Sequence, residues 1–132
     1  MSHPQTFEPH FKKSPMTDPW EPLYSQREDN RITIGLTADN QHCNSRGFVH
    51  GGLISTLADN AMGLSCASHH KELEGLLTLS LHVDFVGVAK KGDWLTFETS
   101  YVKPGRSVDM AQGQVLANGR VCALVGATFK VM

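Results

Sequence analysis

Apolar and polar residues alternate with a period of two through most of the second half of the chain. Apolar side chains take every second position of residues 79–85, and similar patterns follow at 94–103, 108–116 and 121–131. This period is typical of strands with one buried face. The connections between them are short, and Asn118-Gly119 is a strong signal for a two-residue hairpin. We therefore predict four consecutive antiparallel strands.

The segment before these strands has helical spacing instead. From Leu53 to Ala67, apolar or small residues recur at intervals of three and four, and little of the circumference is charged. A short alternating run at 31–36 precedes this segment and predicts a first strand. A single enclosed helix can bury itself against the concave face of a sheet. The pattern predicts an α+β fold, with one long central helix wrapped by a curved antiparallel sheet of five to six strands.

Residues 1–25 have a different composition, because they contain five of the six prolines. Proline lacks an N–H and interrupts regular elements, so we predict an extended arm with at most one short helical turn. Four large apolar residues could attach this arm to the rest of the protein: Phe7, Phe11, Trp20 and Leu23. Residues 26–132 are predicted to form one domain, since this length supports a single core.

Charge and cysteine content exclude several classes of protein. The net charge is −1, with 12 basic and 13 acidic residues, which argues against nucleic-acid binding. No apolar run reaches the roughly 18–20 residues of a membrane span, and the first twenty residues lack the apolar centre of a secretory signal. The three cysteines are odd in number and widely spaced, so we expect reduced thiols and a cytoplasmic location.

Two features of the helix exceed what a buried core requires. It opens with His50-Gly51-Gly52, and it carries a carboxylate, Asp59, two turns further on. The first N–H groups of a helix have no partner within it, and glycine lets a substrate approach them, so this start suits an oxyanion hole. Asp59 would be a nucleophile or a general base. The alternatives are a tight turn at the glycines and a structural hydrogen bond at Asp59.

The spacing of these groups has a geometric consequence. Gly51 and Asp59 are eight residues apart, which is about 12 Å along a helix axis. One substrate carbonyl could not contact both groups in a single chain. A two-fold dimer with antiparallel helices would bring Asp59 of one chain near Gly51 of the other. The spacing therefore favours a composite site and an obligatory dimer.

The motif Asn44-x-x-Gly47-x-x-His50-Gly51-Gly52, followed by Asp59, resembles that of hot-dog fold acyl-CoA thioesterases of the phenylacetate-pathway type. The resemblance covers residues 30–131. It implies hydrolysis of an acyl-CoA without a cofactor or metal, in a homodimer with composite sites that also forms a homotetramer. Acyl-carrier-protein thioesters are a further substrate class that the sequence leaves open.

The resemblance also implies roles for individual residues. The Gly51 N–H would polarise the carbonyl beside Gly52, and Asp59 would be the catalytic carboxylate. Catalytic or positioning roles near the thioester and the attacking water would fall to three further residues, Asn44, His50 and Thr78. At the turn Pro104-Gly105-Arg106-Ser107, Arg106 and Ser107 would contact the CoA phosphates, and Lys90 and Lys91 are other candidates. Solvated turn charges are an equally simple interpretation.

Two other functions remain open at this point. Hydratases or dehydratases of enoyl- and hydroxyacyl-thioesters share the fold, but they use an acidic residue paired with histidine. No acidic residue lies between Asn40 and His50. The other alternative is a non-catalytic acyl-CoA-binding protein. Because function depends on the site rather than the fold, the carboxylate of Asp59 favours hydrolysis.

Overall fold

One long helix and a single antiparallel sheet make up most of the protein. The computed structural model describes residues 4–132, and the first three residues of the predicted arm lie outside the described part. In this part of the chain the elements are β1 Glu8–Pro9, β2 Tyr24–Glu28, β3 Arg31–Thr37, α1 Gly51–Ala67, β4 Leu76–Phe85, β5 Trp94–Lys103, β6 Val108–Ala117 and β7 Arg120–Val131. The strands form one sheet in the order β1-β2-β3-β5-β6-β7-β4.

The core lies between α1 and the concave face of this sheet. Leu57 and Met62 on the helix are fully buried, as are Leu95, Phe97 and Val115 on the facing strands. Removing such side chains from water is the main stabilising contribution to the fold. The predicted α+β arrangement, with one central helix wrapped by the sheet, is confirmed.

The predicted strand count of five to six is too low, because the described residues contain seven strands. The additional pairing comes from β1 and β2, both of which begin within the segment predicted to be an extended arm. The sequence of β2, YSQRE, has no apolar alternation, so its own pattern gives no signal. It is held by pairing with β3 across a turn in which Asp29 has φ 51°. The boundary predicted at residue 25 falls inside β2, and the division into arm and domain stays a prediction.

The remaining residues of the arm also pack against the domain. Its one helical turn is a short 3₁₀ segment, Asp18–Trp20. Phe7 is buried, and its ring meets Trp94 edge-on with the ring centroids 5.2 Å apart. Leu23 is also buried. Phe11 is 55% exposed and lies outside the core, but the Arg27 guanidinium on β2 lies over its ring, 5.5 Å from the centroid.

The tight connections follow the sequence signals. Asn118 and Gly119 have φ values of 49° and 82° and join β6 to β7, as a two-residue hairpin requires. Within residues 4–132 there is no helix with the length and apolar character needed to cross a lipid bilayer.

A buried serine connects α1 to the beginning of β3. The Ser65 hydroxyl lies 3.0 Å from the backbone N of Ile32, from which it accepts a hydrogen bond, and 3.4 Å from the Ile32 carbonyl. Both residues are almost completely buried. Ile32 precedes the residues of β3 that pair with β5, so Ser65 takes the place of a missing strand neighbour.

Replacing this hydroxyl should destabilise the protein. We expect Ser65→Ala to lower the free energy of unfolding by about 1–3 kcal/mol, because a buried N–H loses its acceptor. Ser100→Ala is the matched control: it removes an exposed hydroxyl, which donates to Gln112, and should change stability by about 0.5 kcal/mol or less. Denaturant unfolding at one protein concentration measures both. Equal losses would contradict the assigned role of Ser65.

Candidate active site

The start of α1 presents one backbone N–H without an acceptor. His50 is the N-cap in an extended conformation, and its Nδ1 accepts a hydrogen bond from Gly52 N at 2.8 Å. The N–H groups of Leu53 and Ile54 donate to the His50 carbonyl at 3.1 and 3.2 Å. Among residues 4–132, only the Gly51 N–H of this first turn has no acceptor. It lies at the positive end of the helix dipole, where a developing negative charge would be stabilised.

The glycines at this position leave space that a side chain would fill. A Cβ at Gly51 would lie 3.1 Å from Cζ of Phe85 on β4. A Cβ at Gly52 would lie 3.0 Å from Nδ1 of its own cap, His50. A side chain at Gly51 would therefore press against the Phe85 ring, which lies beside this N–H.

Asn44 shapes the loop that leads into the helix. Its Oδ1 accepts hydrogen bonds from the backbone N of Arg46 at 2.9 Å and of Phe48 at 3.2 Å. Gly47 completes this turn with φ 83°, in the left-handed region that favours glycine. The Nδ2 group of Asn44 has no acceptor among residues 4–132, so it can still donate to a ligand.

Asp59 lies two turns further along α1, at the edge of a cavity of about 480 Å³. Thr78, at the beginning of β4, donates from Oγ1 to Oδ1 of Asp59 at 2.7 Å. Within the described chain, the other carboxylate oxygen has no hydrogen-bond partner. Thr78 thus orients the carboxylate and leaves one oxygen able to act on a ligand.

The predicted site residues form two separate groups in one chain. Asn44, His50, Gly51 and Gly52 lie at the start of α1, whereas Asp59 and Thr78 lie about 12 Å further along its axis. β4 connects the two groups, because its first residues reach Asp59 and its last residue contacts Gly51.

Arg106 and Ser107 are exposed on the turn between β5 and β6 and do not line the cavity beside Asp59. The turn is held by Asp109, which is fully buried. This carboxylate accepts from Nε2 of His70 at 2.6 Å and from the backbone N of Gly105 at 2.8 Å. The turn lies at the Asp59 end of the sheet, because the Ser107 carbonyl accepts from Val131, whose strand pairs with the start of β4.

The cysteines do not offer an alternative nucleophile. Burial, aided by the charge of Asp109, raises the pKa of Cys66 to about 12. Burial also raises the pKa of Cys122 and of Cys43 above the ordinary value of a thiol. Since the thiolate is the reactive form, these residues stay unreactive near neutral pH. Within residues 4–132 no three His, Cys, Asp or Glu side chains are arranged to hold a metal ion.

The arm contributes to the walls of the site, although its sequence did not indicate which of its residues would do so. His10, Lys12, Ser14 and Thr17 line the cavity that contains Asp59. A second cavity, of about 360 Å³, adjoins the start of α1. Two residues of the arm, Met16 and Trp20, also line it. A polar, proline-rich segment gives no signal for such packing, because the contacts are set by the helix it crosses.

Comparison with known proteins assigns the family. The model of the thioesterase superfamily matches residues 46–123. A candidate esterase of Pseudomonas aeruginosa is 35% identical over 130 residues, covering 98% of this chain and 97% of that protein. Human acyl-coenzyme A thioesterase 13 is 26% identical over 98 residues, covering 68% of this chain and 69% of the human protein. The fold is similar to that of a mutant of the phenylacetic acid degradation protein PaaI from Thermus thermophilus, with a TM-score of 0.79, 19% identity and coverage of 90% and 100%.

The chain therefore belongs to the thioesterase superfamily, and its fold is the hot-dog fold. It is an enzyme of the thioester hydrolase class. The resemblance drawn from the His-Gly-Gly motif and Asp59 is confirmed at the level of the family, while the roles of the individual residues stay predictions.

The cap geometry predicts a stability effect at His50. We expect His50→Ala to lower the free energy of unfolding by about 0.5–2 kcal/mol, because the Gly52 N–H loses its acceptor. His50→Asn is the matched control, since asparagine is a favoured N-cap and restores a side-chain acceptor. Chemical denaturation compares the two variants, and equal stability of the alanine and asparagine proteins would show that the cap is unimportant.

Proposed function

We propose that this protein hydrolyses acyl-CoA thioesters to a free carboxylic acid and CoA. The observation that carries this proposal is the single unpartnered N–H of Gly51 at the start of α1. Membership of the thioesterase superfamily and the similarity to a human acyl-CoA thioesterase support it. The three unpaired cysteines fit a reducing compartment such as the cytoplasm.

The chemistry follows from the two groups of residues. The thioester oxygen accepts from Gly51 N–H, which stabilises the negative charge that develops on attack. Asp59 either attacks the carbonyl carbon or removes a proton from the attacking water, and Thr78 holds it for both roles. If water attacks, a C–O bond forms, the C–S bond breaks, and the CoA sulfur leaves and takes up the proton, which gives the free acid directly. If Asp59 attacks, the same steps give a mixed anhydride, which a water molecule then hydrolyses to release the acid and restore the carboxylate. Asn44, through its free amide N–H, positions the water or the carbonyl.

We infer that the site is completed by a second copy of the chain. Within the described residues, β4 pairs only with β7, which leaves its other edge unpaired. This edge is ten residues long and exposes Leu77, Leu79 and Leu81. A long apolar edge strand favours pairing with another strand. A second β4 is the self-complementary partner that two-fold symmetry provides.

Pairing β4 with itself would join the two groups of site residues. If the two-fold axis passes through the strand centre, between Ser80 and Leu81, Thr78 lies opposite the partner's Val83. The next residue on the same face is the partner's Phe85, which contacts its own Gly51. Asp59 of one chain would then face the Gly51 N–H of the other, which removes the 12 Å obstacle. Such dimers would pair further into a homotetramer.

The CoA phosphates are assigned to Arg106 and Ser107. The planar guanidinium of Arg106 can donate two parallel hydrogen bonds to a phosphate, and it stays positively charged. Buried Asp109 holds the turn by its bond to Gly105 N, so the charge is presented from a fixed position. An acyl carrier protein presents the same thioester on a protein-bound pantetheine. Comparing the rates of hydrolysis of acyl-CoA and of acyl-carrier-protein substrates distinguishes the two classes.

Removing the carboxylate tests the proposed reaction. We expect Asp59→Asn to lower kcat by about 10²-fold or more, because the amide can neither attack nor accept a proton. Thiol release from aryl-, short-, medium- and long-chain acyl-CoAs is the measurement. Asp29→Asn, on the exposed turn between β2 and β3, is the matched control and should keep wild-type activity. No release from any substrate by the folded wild-type protein would contradict the hydrolase, and full activity of Asp59→Asn would contradict its mechanism.

The oxyanion donor can be removed without removing the helix start. Gly51 is the first helical position, where proline is favoured, and His50 already has the extended conformation that precedes proline. We expect Gly51→Pro to lower kcat by about 10²–10³-fold relative to Gly51→Ala, which adds the same Cβ and keeps the N–H. Equal activity of the two variants would contradict the role of this N–H.

The same variant tests whether two chains share a site. Coexpressed Asp59→Asn and Gly51→Pro chains should recover activity, because a mixed dimer has one site with both groups intact. With random pairing we expect about a quarter of the wild-type sites. Activity no higher than that of the separate variants, in a preparation shown to contain mixed dimers, would place the site within one chain.

A further inference from the structure

Two cavities lie along α1, one towards each end of the helix. The larger cavity, of about 480 Å³, follows the helix from Asp59 to Ala67, which is about 12 Å along its axis. The smaller cavity, of about 360 Å³, follows it from Gly52 to Thr56, which is about 6 Å. Each begins next to a reacting group, because Asp59 lines the larger one and Gly52 directly follows Gly51.

The proposed dimer places these cavities on opposite sides of one thioester. Its two helices are antiparallel, and Asp59 of one chain faces Gly51 of the other. The larger cavity then leads from the reacting carbonyl towards the C-terminal end of its own helix. The smaller cavity of the partner leads in the opposite direction, because the partner's helix runs the other way. Each cavity can therefore receive one of the two halves of an acyl-CoA.

The far end of the larger cavity lies towards the turn assigned to the CoA phosphates. Glu74 and Gly75 line this end, and they exchange backbone hydrogen bonds with Met132 at 3.1 and 3.0 Å. The preceding residue, Val131, donates to the Ser107 carbonyl at 2.9 Å. A CoA whose phosphates reach this turn therefore has its pantetheine arm in the larger cavity.

The walls of the larger cavity agree with this assignment. Lys12, Asn60 and Glu74 contribute an ammonium, an amide and a carboxylate. Pantetheine carries amide groups and a hydroxyl, which can exchange hydrogen bonds with such side chains, and its methyl groups suit the apolar surfaces of Leu64 and Phe129. Charged groups are costly to desolvate against an aliphatic chain, so these walls are less suited to an apolar acyl group.

The smaller cavity has apolar walls instead. Of the described residues, no Lys, Arg, Asp or Glu lines it, whereas Met16, Trp20, Cys43 and Leu53 do. Met16 is 63% exposed, so the fold leaves part of this apolar surface uncovered. An apolar group that enters the cavity would cover it and leave water itself.

Two polar side chains on the wall of the smaller cavity already have partners. The Thr56 hydroxyl donates to the Gly52 carbonyl at 2.9 Å. The His42 ring accepts from the Asp39 N–H at Nδ1, so its Nε2 carries the proton and donates to the Trp20 carbonyl at 2.8 Å. These groups stay bonded when an apolar ligand enters, and the bond from His42 holds Trp20 at the wall.

We propose that the two cavities divide the substrate at its thioester. The larger cavity takes the pantetheine arm, and the smaller cavity of the partner takes an apolar, medium-chain acyl group, with Met16 as a specificity residue. This inference rests on the proposed thioesterase function and its dimer. Each methylene that enters the smaller cavity should raise kcat/KM about fourfold, because it leaves water.

Opposite polarity changes in the two cavities test this division, with thiol release measured from butanoyl-, hexanoyl- and octanoyl-CoA. Met16→Gln puts an amide of similar size into the smaller cavity and should lower the octanoyl-to-butanoyl ratio of kcat/KM about tenfold. Asn60→Leu removes an amide from the larger cavity. It should raise KM by a similar factor, about three to ten, for all three substrates and leave the ratio unchanged. Met132→Gln, whose side chain lines neither cavity, is the matched control.

The mixed dimer of Asp59→Asn and Gly51→Pro chains shows which chain supplies the acyl cavity. Its intact site combines Asp59 of the Gly51→Pro chain with Gly51 of the Asp59→Asn chain. Met16→Gln should therefore lower the octanoyl preference when the Asp59→Asn chain carries it, and should have no effect on the Gly51→Pro chain. The reverse dependence would place the acyl group in the chain that supplies Asp59 and overturn the proposal.

Other results would also overturn it. A wild type whose kcat/KM does not rise with chain length, or an unchanged ratio in Met16→Gln, would contradict the role of the smaller cavity. A stronger octanoyl preference in Asn60→Leu would place the acyl chain in the larger cavity. If no thiol is released from any substrate, the proposed hydrolysis fails, and calorimetric binding of 2-oxoalkyl-CoA thioethers of the same chain lengths still decides how the cavities are used.

Discussion

The rigid spacing of Gly51 and Asp59 on α1 is the constraint on which the candidate site depends. A helix fixes eight residues at about 12 Å along its axis, and no side-chain rotation can bring the Gly51 N–H to the carboxylate. The helix cannot bend to shorten this distance, because its buried side chains pack against the sheet. Leu57 lies between Gly51 and Asp59, Met62 lies beyond Asp59, and both are fully buried. A second chain is then the simplest source of the missing half.

His50 explains why the helix start offers one donor rather than several. A helix leaves its first N–H groups without internal partners, and most proteins satisfy them with a cap. Here the imidazole takes the Gly52 N–H, and the His50 carbonyl takes those of Leu53 and Ile54. The Gly51 N–H is left for a ligand. The cap therefore stabilises the helix and at the same time selects the N–H that a carbonyl can reach.

The sequence predicted the helix, the later strands and the positions of Gly51 and Asp59, because each has a local signal. Periodicity marked the elements, and a glycine pair and a carboxylate are unusual within an apolar helix. The partnership of Thr78 with Asp59 came only from family resemblance, yet it appears as a 2.7 Å hydrogen bond. The two strands of the arm and the burial of His10 had no local signal. Both depend on what the arm meets after folding: β3 for the strand Tyr24–Glu28, and the cavity beside α1 for His10.

β4 connects stability, assembly and chemistry in the proposed dimer. Leu81, Val83 and Phe85 face the helix side, because they pair with Ala127, Val125 and Ala123, which are buried there. A slip of one residue in the pairing of two β4 strands would move Thr78 by about 3.3 Å relative to the partner's Phe85. It would also change which side chains face one another across the interface. The register that covers the exposed leucines must therefore also be the one that aligns Asp59 with the partner's Gly51, so that correct association and a complete site are the same structural event.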